Sequence, residues 1–244
     1  MTDLSMLLLL LLAPAVGSFL AVLVDRLPRG EDVVTRPSRC RSCNTRLGWR
    51  DLVPLLSYPL QRGRCRNCGA ALPGWLWLME LAALGLAGLA LLRGGTGWEV
   101  WCSAGLLWLL LALAVCDLLW FRLPDALTAA LTALCLGAAL AQGVFVQALA
   151  GGLLGMGSFL ALRIGYKALR GREGLGLGDV KLMAGLGALT GPFDLPLLVL
   201  VAALGALVVT LGVHRGVKGD LALPFGTALC GAAALLWLLE KTLL

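Results

Sequence analysis

Histidine occurs once in this 244-residue chain, as His214. A Ser-His-Asp triad requires an imidazole between a nucleophile and a carboxylate, and His214 lies among basic residues without such partners. A catalytic zinc site of the hydrolase type is equally short of ligands. Charge is scarce as well: Asp, Glu, Lys and Arg make up 14% of the residues against 59% apolar ones, a balance foreign to an ordinary soluble domain. No basic segment precedes the first apolar stretch, Leu4 to Val24; its positive charges follow it. That order reads as a retained helix and not as a cleaved signal peptide. No glycine fingerprint of the dinucleotide type marks a cofactor pocket. No aromatic stacking platform accompanies the arginines, so nucleic acid is not expected as a partner.

What the chain has in abundance is apolar length. Stretches of roughly 17 to 25 residues recur, each long enough to span the ~30 Å hydrocarbon core. The expected fold class is an all-α polytopic membrane protein of about eight transmembrane helices, at 4–24, 75–92, 100–117, 124–141, 145–163, 180–191, 196–213 and 222–240. The 180–191 segment is short for a full crossing and is expected to be re-entrant or shielded by its neighbours. Three parts follow: a first transmembrane helix over 1–24, a polar loop domain over 25–74 and a larger transmembrane domain over 75–244.

The net charge of +6 arises within 25–74, where ten arginines face Asp25, Glu31, Asp32 and Asp51. Basic clusters beside a span record membrane orientation and can touch anionic lipid. Placing this loop in the cytoplasm puts the N-terminus outside and makes 117–123, 163–180 and 214–221 inner loops too. Eighteen of the 20 Lys and Arg residues then lie inside, with Arg93 and Lys241 as the exceptions. A short echo, Gly17-Ser18-Phe19-Leu20-Ala21 and Gly157-Ser158-Phe159-Leu160-Ala161, is what coincidence supplies in a chain so rich in Leu, Ala and Gly.

Four of the eight cysteines (Cys102, Cys116, Cys135 and Cys230) fall in apolar segments and behave as small hydrophobes. The other four form two pairs, Cys40-Arg41-Ser42-Cys43-Asn44 and Cys65-Arg66-Asn67-Cys68-Gly69, with 21 residues between them. Such spacing aims both sulfurs of a pair at one ion, and the following Asn or Gly suits a tight turn. Two pairs make a closed Cys₄ site, which reads as structural zinc. The loop has too little apolar material for a core, so the metal would supply its folding energy. The rival, a pair of disulfides, is disfavoured on the cytoplasmic side. Between the pairs, Trp49 to Tyr58 is expected to pack the knuckles together or rest on the membrane surface.

Two acids lie where acids are costly. Asp117 ends an apolar span with no capping logic, since a carboxylate is unfavourable at a helix C-terminus. Asp179 opens the 180–191 span after three alternating glycines, Gly174, Gly176 and Gly178; the bland reading makes it an N-cap. Asp125, just after Pro124, reads as ordinary first-turn charge. The threading above brings Asp117 and Asp179 to the same membrane boundary. Two carboxylates a few ångströms apart in a low-dielectric site share one proton. The ionised member can then draw a proton from water while the protonated one polarises a carbonyl. Gly176, Gly178 and Lys181 form the loop around Asp179, and the glycines would leave room for an extended substrate.

These residues resemble the bacterial type IV prepilin peptidases. Gly174-Leu175-Gly176-Leu177-Gly178-Asp179 is similar to the family's GxGD stretch, and the Asp117 segment with Leu123-Pro124-Asp125 to its first aspartate region. The cysteine loop, Pro54-Leu55-Leu56-Ser57-Tyr58, Arg26-Leu27-Pro28 and Pro224-Phe225-Gly226 fall in the family's order. GxGD alone would also suit presenilin-like proteases; the cysteine loop separates the two. The resemblance implies an inner-membrane enzyme that cuts the basic leader of prepilins or pseudopilins after a glycine, at the cytoplasmic face. It then methylates the new N-terminus with S-adenosylmethionine. Asp117 and Asp179 would be the catalytic pair. The chain departs from the family at Ala21, where asparagine is usual, and at Leu76-Trp77 ahead of Glu80, where tyrosine-proline is usual. Those departures keep a peptidase without methylation as an alternative. A zinc-stabilised scaffold or transporter, with the acids as a proton relay, is the alternative of another class, although transporter acids usually lie near the midplane.

Overall fold

A computed structural model describes residues 3–172, 174–214 and 224–239. The expected inner loop at 214–221 and the side chain of His214 therefore lie outside the described part. The described chain is helical, with α1 at Asp3–Arg26, α2 at Ser57–Leu60, α3 at Gly74–Arg93, α4 at Gly97–Trp120 and α5 at Asp125–Ala141. Then come α6 at Phe145–Arg170, α7 at Leu177–His214 and α8 at Phe225–Leu239. Among the described residues the only β-pairings are two isolated bridges in the cysteine loop, Arg39 with Arg46 and Arg64 with Ala71. Five helical segments are long and apolar enough to cross a membrane, and α5 and α8 are shorter apolar helices. The 24 residues of α1 reach about 36 Å at 1.5 Å per residue, more than the hydrocarbon core requires.

The chain divides into two compact units, Met1–Ala104 and Gly105–Leu244. In the first, α1 packs on α3. A Cβ at Gly17 would lie 2.7 Å from both the Glu80 Cα and the Met79 carbonyl, so glycine lets these backbones touch. Gly157, its counterpart in the sequence echo, has open space around it. The two copies do unlike work, as coincidence predicts.

The second unit is built on α6 and α7. A Cβ at Gly151 would fall 2.2 Å from the Gly187 carbonyl, and one at Gly187 would fall 2.3 Å from the Gly151 carbonyl. This crossing admits no side chain. The two spans expected at 180–191 and 196–213 are not separated by a loop. They are one helical run broken at Gly191, whose φ of 71° and ψ of 179° leave the helical region. Gly155 locates the two halves: its Cβ position is 2.6 Å from the Met183 carbonyl and 3.4 Å from Leu195 Cδ1. Twelve residues of straight helix would separate 183 from 195 by about 18 Å. The run therefore doubles back at Gly191, with Pro192 opening the returning half.

Candidate active site and metal centre

Asp117 occupies the last turn of α4, among carbonyls that disfavour an acid, and is only 7% exposed. Another helix compensates it. The Thr227 N–H donates to Asp117 Oδ2 at 2.7 Å, the Thr227 hydroxyl lies 3.2 Å from the same oxygen, and the Gly226 N–H also donates. These residues form the first turn of α8, whose amides have no partner within their own helix. Asp117 thus caps α8 across 110 residues of sequence and gains the positive end of its dipole. The Thr227 hydroxyl also reaches the Ala114 carbonyl at 3.0 Å, tying α8 to α4.

Asp179 repeats the pattern. It is the third residue of α7, not its N-cap, and the Gly176 N–H donates to its carboxylate. This is the reach-back of a capping box, in which a third-position acid satisfies the cap amide. Both acids therefore belong to helix N-termini. They also share one electrostatic environment: the Asp117 charge acts on Asp179, and both act on the buried Cys230 thiol. Leu123 links the two capped ends. A Cβ at Gly178 would sit 2.9 Å from Leu123 Cβ, and one at Gly226 would sit 3.0 Å from Leu123 Cδ1 and 3.1 Å from the Asp117 carboxylate.

The glycines ahead of Asp179 differ from expectation in their use. None of the three is left-handed, and the room beside two of them is already filled by protein: Tyr166 packs its ring on Gly174, and Leu123 fills the space at Gly178. Arg163 of α6 holds the loop by donating to the Leu175 carbonyl at 2.8 Å. Lys181 is engaged by Asp125, Nζ to Oδ1 at 2.6 Å. Asp125 opens α5 as expected, and this exposed pair joins the starts of α5 and α7 at small energetic gain. Sequence reasoning missed Thr227, Gly226 and Leu123. The signal available was a threonine at the third position of the last apolar helix, directly after Pro224-Phe225-Gly226.

The four loop cysteines converge. Their sulfurs all lie within 4.8 Å of one another, and Cys40 Sγ is 3.8 Å from Cys68 Sγ. Sulfurs held about 2.3 Å from a tetrahedral zinc stand about 3.8 Å apart, so the cluster has the size of a filled site. Each pair is closed by the same turn. Asn44 and Gly69 take left-handed φ of 55° and 70° and donate to the Cys40 and Cys65 carbonyls at 2.9 Å. The Asn67 amide bridges the two knuckles to Thr45 Oγ1 at 2.9 Å. The Thr45 hydroxyl and amide, with Asn67, pull the Cys43 thiol down to about 6. Despite an N–H from Ala70, partial desolvation and the neighbouring sulfurs push Cys68 up to about 11.

Beside the cysteine cluster lies a cavity of about 390 Å³ lined by α1, α3 and the loop. Tyr58 and Trp77 stack along its wall with ring centroids 5.9 Å apart and planes within 12°. Leu55 is left-handed, with φ 64°, and α3 holds it at both ends. Its N–H donates to Glu80 Oε2 at 2.7 Å, and its carbonyl accepts from Trp77 Nε1 at 3.2 Å. The segment between the cysteine pairs is thus pinned to α3. Ala21, Leu76 and Trp77, where the chain departs from the pattern it resembles, all line this cavity.

Comparison with known proteins agrees with this layout. Residues 11–93 match the bacterial peptidase A24 N-terminal domain, and residues 104–211 match the type IV leader peptidase family. The chain is 36% identical over 217 residues to a prepilin leader peptidase/N-methyltransferase of Burkholderia pseudomallei strain 1026b, covering 86% of this chain and 69% of that one. It is 38% identical over 233 residues to the Pectobacterium carotovorum protein of the same name, covering 84% and 81%. For that of Aeromonas salmonicida strain A449 the figures are 32% over 256 residues, 91% and 87%. No solved structure matches.

Proposed function

The chain belongs to the type IV leader peptidase family, and from that premise we propose that it removes prepilin leaders with Asp117 and Asp179 and then methylates the exposed N-terminus. It is a multi-pass inner-membrane enzyme. The observation that carries the reading is the pairing of two acids, each at a helix N-terminus, in one electrostatic site. Oriented amides replace the water that would otherwise solvate the carboxylates, so the site is arranged before substrate arrives. One carboxylate draws a proton from the attacking water while the other, protonated, donates to the scissile carbonyl oxygen. As the C–N bond breaks, the first hands its proton to the leaving amine and the second takes its own back from the tetrahedral hydroxyl. Cleavage after a glycine at the cytoplasmic face fits the basic inner loops, which set the orientation.

Cys40, Cys43, Cys65 and Cys68 would hold zinc as a structural ion, which supplies folding energy to the loop. S-adenosylmethionine supplies an activated methyl group when bound. The first unit's cavity, with its stacked rings and mixed charges, has the size and chemistry to take it. We read 1–24 as an anchor helix, 25–74 as the metal-bound cytoplasmic domain and 75–244 as the membrane peptidase domain.

The test is incubation of purified protein with a prepilin-like peptide carrying a basic leader, and mass analysis of the products. Wild type is expected to cut after glycine and, with the donor present, to add one methyl to the new terminus. Asp179→Ala and Asp117→Ala are expected to leave the peptide intact while retaining zinc. Equal absence of cleavage in wild type and both variants would favour a scaffold or transporter.

A further inference from the structure

We propose that Arg163 is a positioning residue for Asp179, acting through the single peptide unit that joins Leu175 to Gly176. This rests on the catalytic role given to Asp179 above. One edge of that peptide is the Leu175 carbonyl, which accepts from Arg163 Nη1 at 2.8 Å. The other edge is the Gly176 N–H, which donates to the Asp179 carboxylate. The carboxylate is folded back over this amide: Asp179 Oδ2 lies 3.3 Å from the place a Cβ would take on Gly176. The carbonyl and N–H of a trans peptide point opposite ways in one rigid plane. The guanidinium and the carboxylate therefore grip the two edges of one flat spacer.

The spacer passes on more than position. A cation at the oxygen draws density from the C–N bond and makes the N–H a stronger donor, as hydrogen bonds in series polarise one another. A guanidinium donor also makes a stronger bond than a neutral one. Arginine suits the place because it keeps its charge when partly buried, and Arg163 is half-buried. The amide so held fixes which way the Asp179 oxygens face.

A second observation comes from the packing on either side of this peptide. Tyr166 stands three residues after Arg163 on α6, so the two side chains share a face. A Cβ on Gly174 would fall 2.5 Å from Tyr166 Cδ1, and one on Gly178 would fall 2.9 Å from Leu123 Cβ. These contacts hold the segment before and after the spacer. Apolar packing is non-directional, however, and does not choose the rotation of the peptide between them; the bond from Arg163 does. The bland reading of Arg163 is a basic residue near the inner end of a span, which needs only a solvated charge. It accounts neither for the partial burial nor for a bond to the very peptide that holds Asp179.

Full-length protein in detergent would be assayed on the prepilin-like peptide, with kcat and KM separated and the denaturant midpoint as the folding check. Arg163→Met keeps an apolar stem and loses the charge; its kcat is expected to fall about tenfold with KM held within about twofold. Arg163→Lys, which restores a cation and a donor, is expected to recover most of that loss. Arg163→Gln serves should the methionine variant fail to fold, with a smaller fall because a neutral donor remains. Unchanged kcat in a folded, uncharged variant would overturn the relay and leave Asp179 in its role. A loss carried by KM, or one that Arg163→Lys does not reverse, would also overturn it, marking Arg163 as a substrate contact or a packing element. Absence of cleavage by wild type and Asp179→Ala alike would overturn the reading of Asp179 itself, and the relay with it.

Discussion

At the scale of single residues, Thr227 is the partner that holds Asp117. Its amide and hydroxyl both lie at Asp117 Oδ2, and a substitution can separate the two. Thr227→Val keeps the amide and the shape but deletes the hydroxyl. Loss of one such hydrogen bond is worth about 1.4 kcal/mol, or roughly tenfold in rate. We expect that fall in the kcat for leader cleavage with little change in KM, measured on a synthetic prepilin peptide. Asp117 and Asp179 stood out in the sequence because an ionisable group at the edge of hydrocarbon is costly; the helix ends they serve were not legible there. Thr227 did not stand out. A threonine in the first turn of a helix is ordinary, and only the folded chain brings a carboxylate to it from 110 residues away. The glycines before Asp179 fall between these cases. Their need for close approach was legible, but the neighbours that approach, Tyr166 and Leu123, were not.

At the scale of elements, two features carry predictions. The cysteine knuckles were legible in full because ligand spacing is local and the turn residues Asn44 and Gly69 follow each pair. Metal binding requires thiolates, so protons compete with the ion. The Thr45 hydroxyl and amide, with Asn67, pull the Cys43 thiol down and favour its thiolate. Zinc release, followed with a chromogenic chelator, is expected as the pH is lowered and protons displace the ion. Cys65→Ser is expected to abolish zinc at neutral pH and open the loop to limited proteolysis. The α6–α7 crossing is the second feature. A side chain at Gly151 would strike the Gly187 carbonyl, so Gly151→Val should destabilise the second unit by about 1–3 kcal/mol, read as a lower denaturant midpoint in detergent. The break at Gly191 was hidden from sequence reading for a physical reason: glycine followed by proline ends a helix equally well at a loop or at a sharp reversal.

At the scale of the whole molecule, charge and architecture point the same way. With the expected spans, the arginines of 25–74 and the basic residues near 163–181 satisfy the positive-inside rule only if the N-terminus is outside. Reporter fusions at Thr45 and Arg172 should therefore read as cytoplasmic and one at Gly94 as external; the reverse pattern would sink this orientation and the cytoplasmic cut with it. The capping of Asp117 by α8 has a further consequence for biogenesis. Ribosomes deliver Asp117 and Asp179 to the membrane well before Gly226 and Thr227 emerge, and until then Asp117 lacks the amides that hold it. On the proposed roles of the two acids, a copy truncated before Phe225 is expected to leave a prepilin-like peptide intact, so that cutting power would arrive only with the final helix.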